Sequence, residues 1–162
     1  MVNLIIIFSS ILIDQLTKLY VVSISNNSFP INLISDYLRL TYITNEGIAF
    51  GLNPFGQYTI VLLIISIMAV FFIIKLLIDS KEHSIIIQLG LSFIIGGAIG
   101  NLIDRFFTSF NMFNYNGVID FIDIGINSYR FYIFNFADFF ISIGIILYLF
   151  SFIINTPLND KK

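Results

Sequence analysis

Ile85-Ile86-Ile87-Gln88-Leu89-Gly90-Leu91-Ser92-Phe93-Ile94-Ile95-Gly96-Gly97-Ala98-Ile99-Gly100-Asn101-Leu102-Ile103-Asp104-Arg105 is the stretch on which the fold turns. Up to Ile103 it is apolar or glycine at all but three positions, Gln88, Ser92 and Asn101. A helix of about 20 such residues crosses the roughly 30 Å hydrocarbon core of a bilayer. The run then ends on an acid and a base. Asn101, Asp104 and Arg105 stand at i, i+3 and i+4 and share one helical face. A polar face on a spanning helix is a functional hypothesis by default, because a charge near hydrocarbon costs a few kcal/mol on insertion scales.

Outward from this run, three more stretches reach span length: about Val2–Ser25, Tyr58–Ile78 and Phe136–Ile154. The composition agrees. Of 162 residues 57% are hydrophobic and 11% charged, with a mean hydropathy of +0.94, where a soluble domain carries about 25% charge. The expected fold class is therefore an α-helical integral membrane protein, a single domain over 1–162 with four transmembrane helices. The first run has no basic start and no A-x-A site, and it holds Asp14 and Lys18, so it reads as a retained span and not a signal peptide. Leu38-Arg39-Leu40-Thr41-Tyr42-Ile43-Thr44 alternates and is rich in β-formers, and it predicts a strand in a small extracytoplasmic platform. Residues 110–134 are aromatic and poor in charge, as in a loop lying at headgroup level.

Lys75, Lys81, Lys161 and Lys162 fall on the side of the short link 79–84 and the C-terminus; Arg39, Arg105 and Arg130 fall on the side of the long segments. By the positive-inside rule both termini are expected in the cytoplasm. Asp104, Asp120 and Asp138 then collect at one depth near the outer face.

Several chemistries are excluded. With no Cys there is no disulfide, thiolate metal site or Cys nucleophile. A single His, His83, rules out a His-rich zinc site or a HExxH protease within the chain. A net charge of −2 offers no basic surface for nucleic acid. No metal and no cofactor is expected. What remains is Asp, Asn and backbone. Two carboxylates held close share a proton, so one can act as acid and the other as base, which is what activation of water against a peptide carbonyl needs.

Each feature also has a plainer reading. Asp14 and Lys18 form an i, i+4 pair that would neutralise two charges inside the first span. Asp104–Arg105 could be an interfacial ion pair. Gly96-xxx-Gly100 is a helix-packing pattern. Asn45-Glu46-Gly47 reads as a turn and His83 as a solvated link residue.

Five blocks occur in order: Asp14-Gln15-Leu16-Thr17-Lys18; Asn45-Glu46-Gly47-Ile48-Ala49-Phe50-Gly51; Gly100-Asn101-Leu102-Ile103-Asp104-Arg105; Gly117-Val118-Ile119-Asp120-Phe121; and Phe134-Asn135-Phe136-Ala137-Asp138. The set resembles the bacterial lipoprotein signal peptidase family, signal peptidase II, and extends from the first span into the last. Two positions depart from it: Tyr132-Ile133 stands where many relatives have a proline, and the Met1-Val2-Asn3 start is less basic than is common.

The resemblance implies an intramembrane aspartic endopeptidase that cuts diacylglyceryl-modified prolipoproteins just before the lipidated Cys. Its catalytic pair maps onto Asp120 and Asp138, with Asp104 a rival for the first role, placed instead as a partner of Arg105 that organises the loop bearing Asp120. Asn45, Asn101, Arg105 and Asn135 map onto the polar residues of the substrate pocket, and Asp14, with Lys18, onto a support position. The implied setting is the bacterial inner membrane, with a prolipoprotein and lipid as partners; a monomer is expected. Two readings compete with it: a small proton- or ion-coupled carrier, since membrane-embedded acids also mark proton pathways, and a non-catalytic scaffold held by Asp–Lys and Asp–Arg pairs.

Overall fold

A computed structural model describes residues 1–25, 29–47, 59–80 and 84–155. Four long helices and a small sheet follow in the order α1 (Val2–Ser23), β1 (Ile31–Ile34), β2 (Leu38–Asn45), α2 (Thr59–Asp79), α3 (Ile85–Ser109), β3 (Val118–Ile126), β4 (Tyr129–Arg130) and α4 (Phe136–Asn155). All four helices are long and apolar enough to cross a membrane. The four expected spans coincide with them. The link residues Lys81, Glu82 and His83, the block Ile48–Gly51 and the C-terminal Lys161 and Lys162 lie outside the described residues.

Up-and-down connectivity puts the ends of α1 and α3 and the starts of α2 and α4 at one end of the bundle, beside the sheet. α3 is the central helix and packs against α1, α2 and α4. Its glycines permit this. A Cβ on Gly96 would lie 2.6 Å from Ser10 Cβ, and one on Gly100 2.6 Å from Asp14 Oδ2, so the Gly96-xxx-Gly100 pattern seats α1. Gly97 does the same for α4, where an added Cβ would meet the Ala137 carbonyl at 2.3 Å. With water gone as a driving force between helices, such close backbone approach is what holds a bundle together in lipid. Large apolar side chains correspondingly face outward, among them Leu4, Phe8, Phe71, Phe72, Ile146 and Ile153.

The sheet is antiparallel throughout, in the order β1-β2-β3-β4. The predicted strand over 38–44 is β2. Its pairing with β3 sets Ile43 opposite Asp120 and Asn45 opposite Val118, with a bulge between Leu40 and Ile43. Val118 to Phe121 are all buried, so this half of β3 is covered on both faces. Ile119 and Phe121 pack with Val21, Tyr42 and Phe136, which leaves Asp120, by strand alternation, facing the opposite way.

Two sequence expectations need correcting. α3 does not stop at Ile103 but continues to Ser109, so Asp104 and Arg105 are intrahelical. Tilted ring contacts continue the packing there, with Phe106 against Phe110 and Phe107 against Tyr115. The aromatic segment 110–134 is not merely an interfacial loop either, for it contains β3 and β4. Its two acids lie three residues apart, at Asp120 and Asp123, which breaks the two-residue period by which a strand is recognised. They serve opposite faces: Asp123 binds Arg130 and Thr41, away from Asp120.

Candidate active site

α4 begins on Asn135. Its Oδ1 accepts from the Asp138 amide at 3.0 Å, while the Asn135 amide donates to Asp138 Oδ2 at 3.3 Å. This reciprocal pair is a capping box with an aspartate in the third helical position. Asp138 thus sits at the positive end of the helix macrodipole. The neighbouring amide, Ala137 N, donates 2.9 Å to Asp14 Oδ1 from α1. Orphan donors of the first turn are satisfied by side chains of two elements.

Asn135 reaches the other acid too. Its Nδ2 donates to Asp120 Oδ1 at 2.6 Å, and Asn45 Nδ2 donates to Asp120 Oδ2 at 3.3 Å. Asn101 Nδ2 donates to Asp138 Oδ1 at 2.9 Å, and Asn101 Oδ1 accepts from Asn135 Nδ2 at 3.1 Å. Two carboxyls and three amides therefore form one connected network. Asp120 is 2% exposed, and burial, followed by the negative charge of Asp138, pushes its carboxyl up to about 7 against the hydrogen bonds from Asn45 and Asn135 and the charge of Lys18. A group poised near neutrality beside a second acid fits shared acid–base work.

Behind this network lies a charged one. Lys18 Nζ sits 2.8 Å from Asp14 Oδ2, 2.8 Å from Asp104 Oδ2 and 3.0 Å from Asn101 Oδ1. Lys18, Asp14 and Asp104 are each 0% exposed. Asp104 Oδ2 also accepts from the Ile119 amide at 3.1 Å, next to Asp120. The expected partnership of Asp104 with Arg105 is therefore corrected: consecutive helical residues point apart, and the cation that Asp104 meets is Lys18. Asp104 meets the segment bearing Asp120 through that single backbone bond. Arg105 turns toward the cavity, donating 3.4 Å to the Gly47 carbonyl.

The cavity has a volume of about 790 Å³. It is lined by Asn45, Asn101, Arg105, Asp120 and Asp138, and on its helical side by the small residues Ser66, Ala69, Ala98 and Ser142. Asp104, Asp14 and Lys18 are not among the lining residues. Of the two candidates for the first acid, Asp120 faces the cavity and Asp104 is occupied by Lys18. Sequence reasoning missed Gln15, whose Nε2 lies within 3.3 Å of Asp14, Asp104 and the Gly100 carbonyl. It also passed over Tyr132 at the cavity wall, where burial and the two acids push the phenol up. A polar residue next to Asp14 in a span was the available signal for the first; for Tyr132 it was the departure from the proline of many relatives.

Comparison with known proteins decides between the remaining readings. The model of the signal peptidase (SPase) II family, Peptidase_A8, matches residues 6–154. The chain belongs to the signal peptidase II family. A lipoprotein signal peptidase of Wigglesworthia glossinidia brevipalpis is 40% identical over 159 residues, 95% of this chain and 97% of the relative. That of Clostridium novyi is 34% identical over 119 residues, 74% of each. A bacterial membrane enzyme solved by the in meso method at 2.3 Å resolution superposes with a TM-score of 0.81 at 29% identity, covering 99% of this chain and 93% of that one. Signal peptidase II is a protease, and the carrier and scaffold readings fall away with that membership.

Proposed function

We propose that this chain removes signal peptides from diacylglyceryl-modified prolipoproteins, cutting before the lipidated Cys, with Asp120 and Asp138 as its catalytic pair. The observation that carries the pairing is that one cavity holds both carboxyls, and Asn135, at the junction of sheet and helix, hydrogen-bonds to each. In the reaction one acid, ionised, takes a proton from water. The other, protonated, hydrogen-bonds the scissile carbonyl oxygen. A tetrahedral diol forms and collapses as the amine leaves with a proton. Arg105 and Asn45 would orient the substrate backbone. Access is lateral: the small side chains of α2, α3 and α4 along the cavity leave room for an extended segment whose acyl chains stay in lipid.

The chain acts as a single membrane-embedded domain and as a monomer, with both termini cytoplasmic and the sheet and cavity near the outer face of the inner membrane. The test is a gel-shift and mass assay on a diacylglyceryl-modified prolipoprotein beside its unlipidated precursor. Wild type is expected to cut only the former. Asp120→Asn and Asp138→Asn are each expected to lose about 10²- to 10⁴-fold in turnover while still inserting in the membrane. Turnover retained in either variant removes that residue from the pair, and loss in Asp104→Asn with Asp120→Asn active would move the first acid to 104.

A further inference from the structure

The lining of the cavity changes character at the acid pair. Inward along the helices it is made of small residues, Ser66, Ala69, Ala98 and Ser142. At the sheet end it is made of the end of β2 and of Tyr132 and Ile133, which lie between β4 and α4. In the proposed reaction the apolar signal segment lies in the bilayer and takes the inward side. The lipidated Cys follows the scissile bond and takes the side of the sheet. Tyr132 is built firmly into that wall. The Phe131 amide donates to the Ile124 carbonyl at 2.8 Å, and the Phe134 amide to that of Ile122 at 3.1 Å. The Phe134 carbonyl in turn accepts from the amides of Phe121 and Ile122 at 3.0 and 2.7 Å. β3 therefore grips the chain on both sides of Tyr132 and Ile133. The Tyr132 ring is held as well, its centroid 4.3 Å from that of Phe131 and 6.0 Å from that of Phe134.

Phe131, on the other side of this ring contact, is more than half exposed. The two rings thus make a step from the acid pair to the apolar surface of the molecule. Tyrosine settles at the boundary of a bilayer, with its ring toward the acyl chains and its hydroxyl toward the polar heads. The ester groups of a diacylglyceryl unit lie at that same boundary. We propose that Tyr132 is a specificity-determining residue for the lipid on the substrate: its hydroxyl donates a hydrogen bond to a glyceryl ester carbonyl of the modified Cys as the acyl chains pass over Phe131 into the bilayer. An ester offers acceptors and no donor, so the group that recognises it must donate, as a phenol does. Burial, then the charges of Asp138 and Asp120, push this phenol up, so it keeps its proton at any working pH. Distance agrees too. Glyceryl esters stand only a few bonds beyond the Cys sulfur, so a scissile bond held at the acids brings them to the wall beside the pair. Proline, which many relatives carry at this place, has neither aromatic ring nor hydroxyl, so the contact belongs to this chain's departure from the common pattern.

The assignment rests on the proposed reaction, and its test separates the two. Full-length enzyme in lipid vesicles is assayed on one precursor carrying either an S-diacylglyceryl Cys or its S-dialkylglyceryl counterpart. In the counterpart, ether links to chains of the same length replace the esters and remove both carbonyls. Wild type is expected to favour the diester in kcat/KM by about 2- to 10-fold, the worth of one neutral hydrogen bond, chiefly through KM. Tyr132→Phe keeps both ring contacts and loses only the hydroxyl, and it is expected to bring the diester-to-diether ratio to about one. A wild type that does not discriminate overturns the proposal. So does a Tyr132→Phe enzyme that keeps the wild-type ratio, whether or not its overall turnover falls, because a structural role would slow both substrates alike.

If Tyr132→Phe does not fold, Tyr132→Pro carries the same comparison. A folded wild type that cuts neither substrate would sink the reaction itself. The contact is then read from binding of an S-diacylglyceryl-cysteine peptide and of its diether. The same ratio is expected between their dissociation constants, and it is expected to vanish in Tyr132→Phe; equal affinities in wild type, or a ratio that survives the substitution, reject the contact.

Discussion

Asp120 is costly to the fold as an anion, and that cost gives it a signature in solution. Its carboxyl lies at about 7, above an ordinary value of 3.8, chiefly through burial and then through Asp138. The folded state therefore binds more protons at Asp120 than the unfolded state does between about pH 4 and 7. Stability falls as pH rises across that window, and the loss is complete above 7. Asp120→Asn keeps the side chain neutral at every pH and should escape the penalty. In detergent, its midpoint of thermal unfolding is expected to exceed that of wild type by a margin that widens by about 5 °C from pH 5 to pH 8. A margin that does not change with pH would mean that Asp120 ionises as freely in the fold as in water. At this scale the sequence was informative about residue types and mute about partners. Carboxylates and asparagines in apolar runs announce themselves because lipid tolerates them poorly. Which of them meet depends on packing between α1 and α3, so Asp104 was matched with adjacent Arg105 when its cation is Lys18, on another helix.

At the scale of elements, the site depends on how closely α4 lies on α3. Gly97 stands one helical turn before Asn101, and an added Cβ there would come 2.3 Å from the Ala137 carbonyl and 2.8 Å from Ile141 Cγ1. The first of these atoms is backbone, immediately before Asp138, and cannot swing aside. Gly97→Ala must push the start of α4 away, stretching the 2.9 Å Asn101–Asp138 bond and the 2.9 Å Asp14–Ala137 cap together. Overpacking of this kind costs about 1–3 kcal/mol, while an angstrom of misplacement costs catalysis about 10²-fold. Cleavage is therefore expected to drop by about two orders of magnitude in a variant that still inserts and unfolds cooperatively; near-normal turnover would show that α4 tolerates the shift. The helices themselves were legible because span length is a constraint of the bilayer. Strand β2 was legible from its alternation. Strand β3 was not, because Asp120 and Asp123 face opposite sides of the sheet and interrupt the period, so the element bearing one proposed catalytic acid was the one the pattern hid.

For the whole molecule, the proposed orientation decides which side of the membrane the site faces. The arginines beside the sheet have local duties: Arg130 binds Asp123 at 2.9 Å, Arg39 pairs with Asp36, and Arg105 lines the cavity. These duties account for the cations at the sheet end of the bundle, which the proposed orientation sets against the positive-inside rule. Lys75, near the end of α2, is at the opposite end of the bundle. The sheet and the acid pair should then face outward, where a prolipoprotein presents its cleavage site after translocation. Absence of cysteine makes this directly measurable, since any introduced thiol is the sole target of a maleimide. Ser128, exposed in the turn between β3 and β4, and Asp79, exposed at the end of α2, mark the two ends. In intact cells or spheroplasts Ser128→Cys is expected to react with a membrane-impermeant maleimide, and Asp79→Cys only after permeabilisation. The reverse pattern would invert the topology and place the acid pair on the cytoplasmic side, where it would meet a precursor before export and not after it.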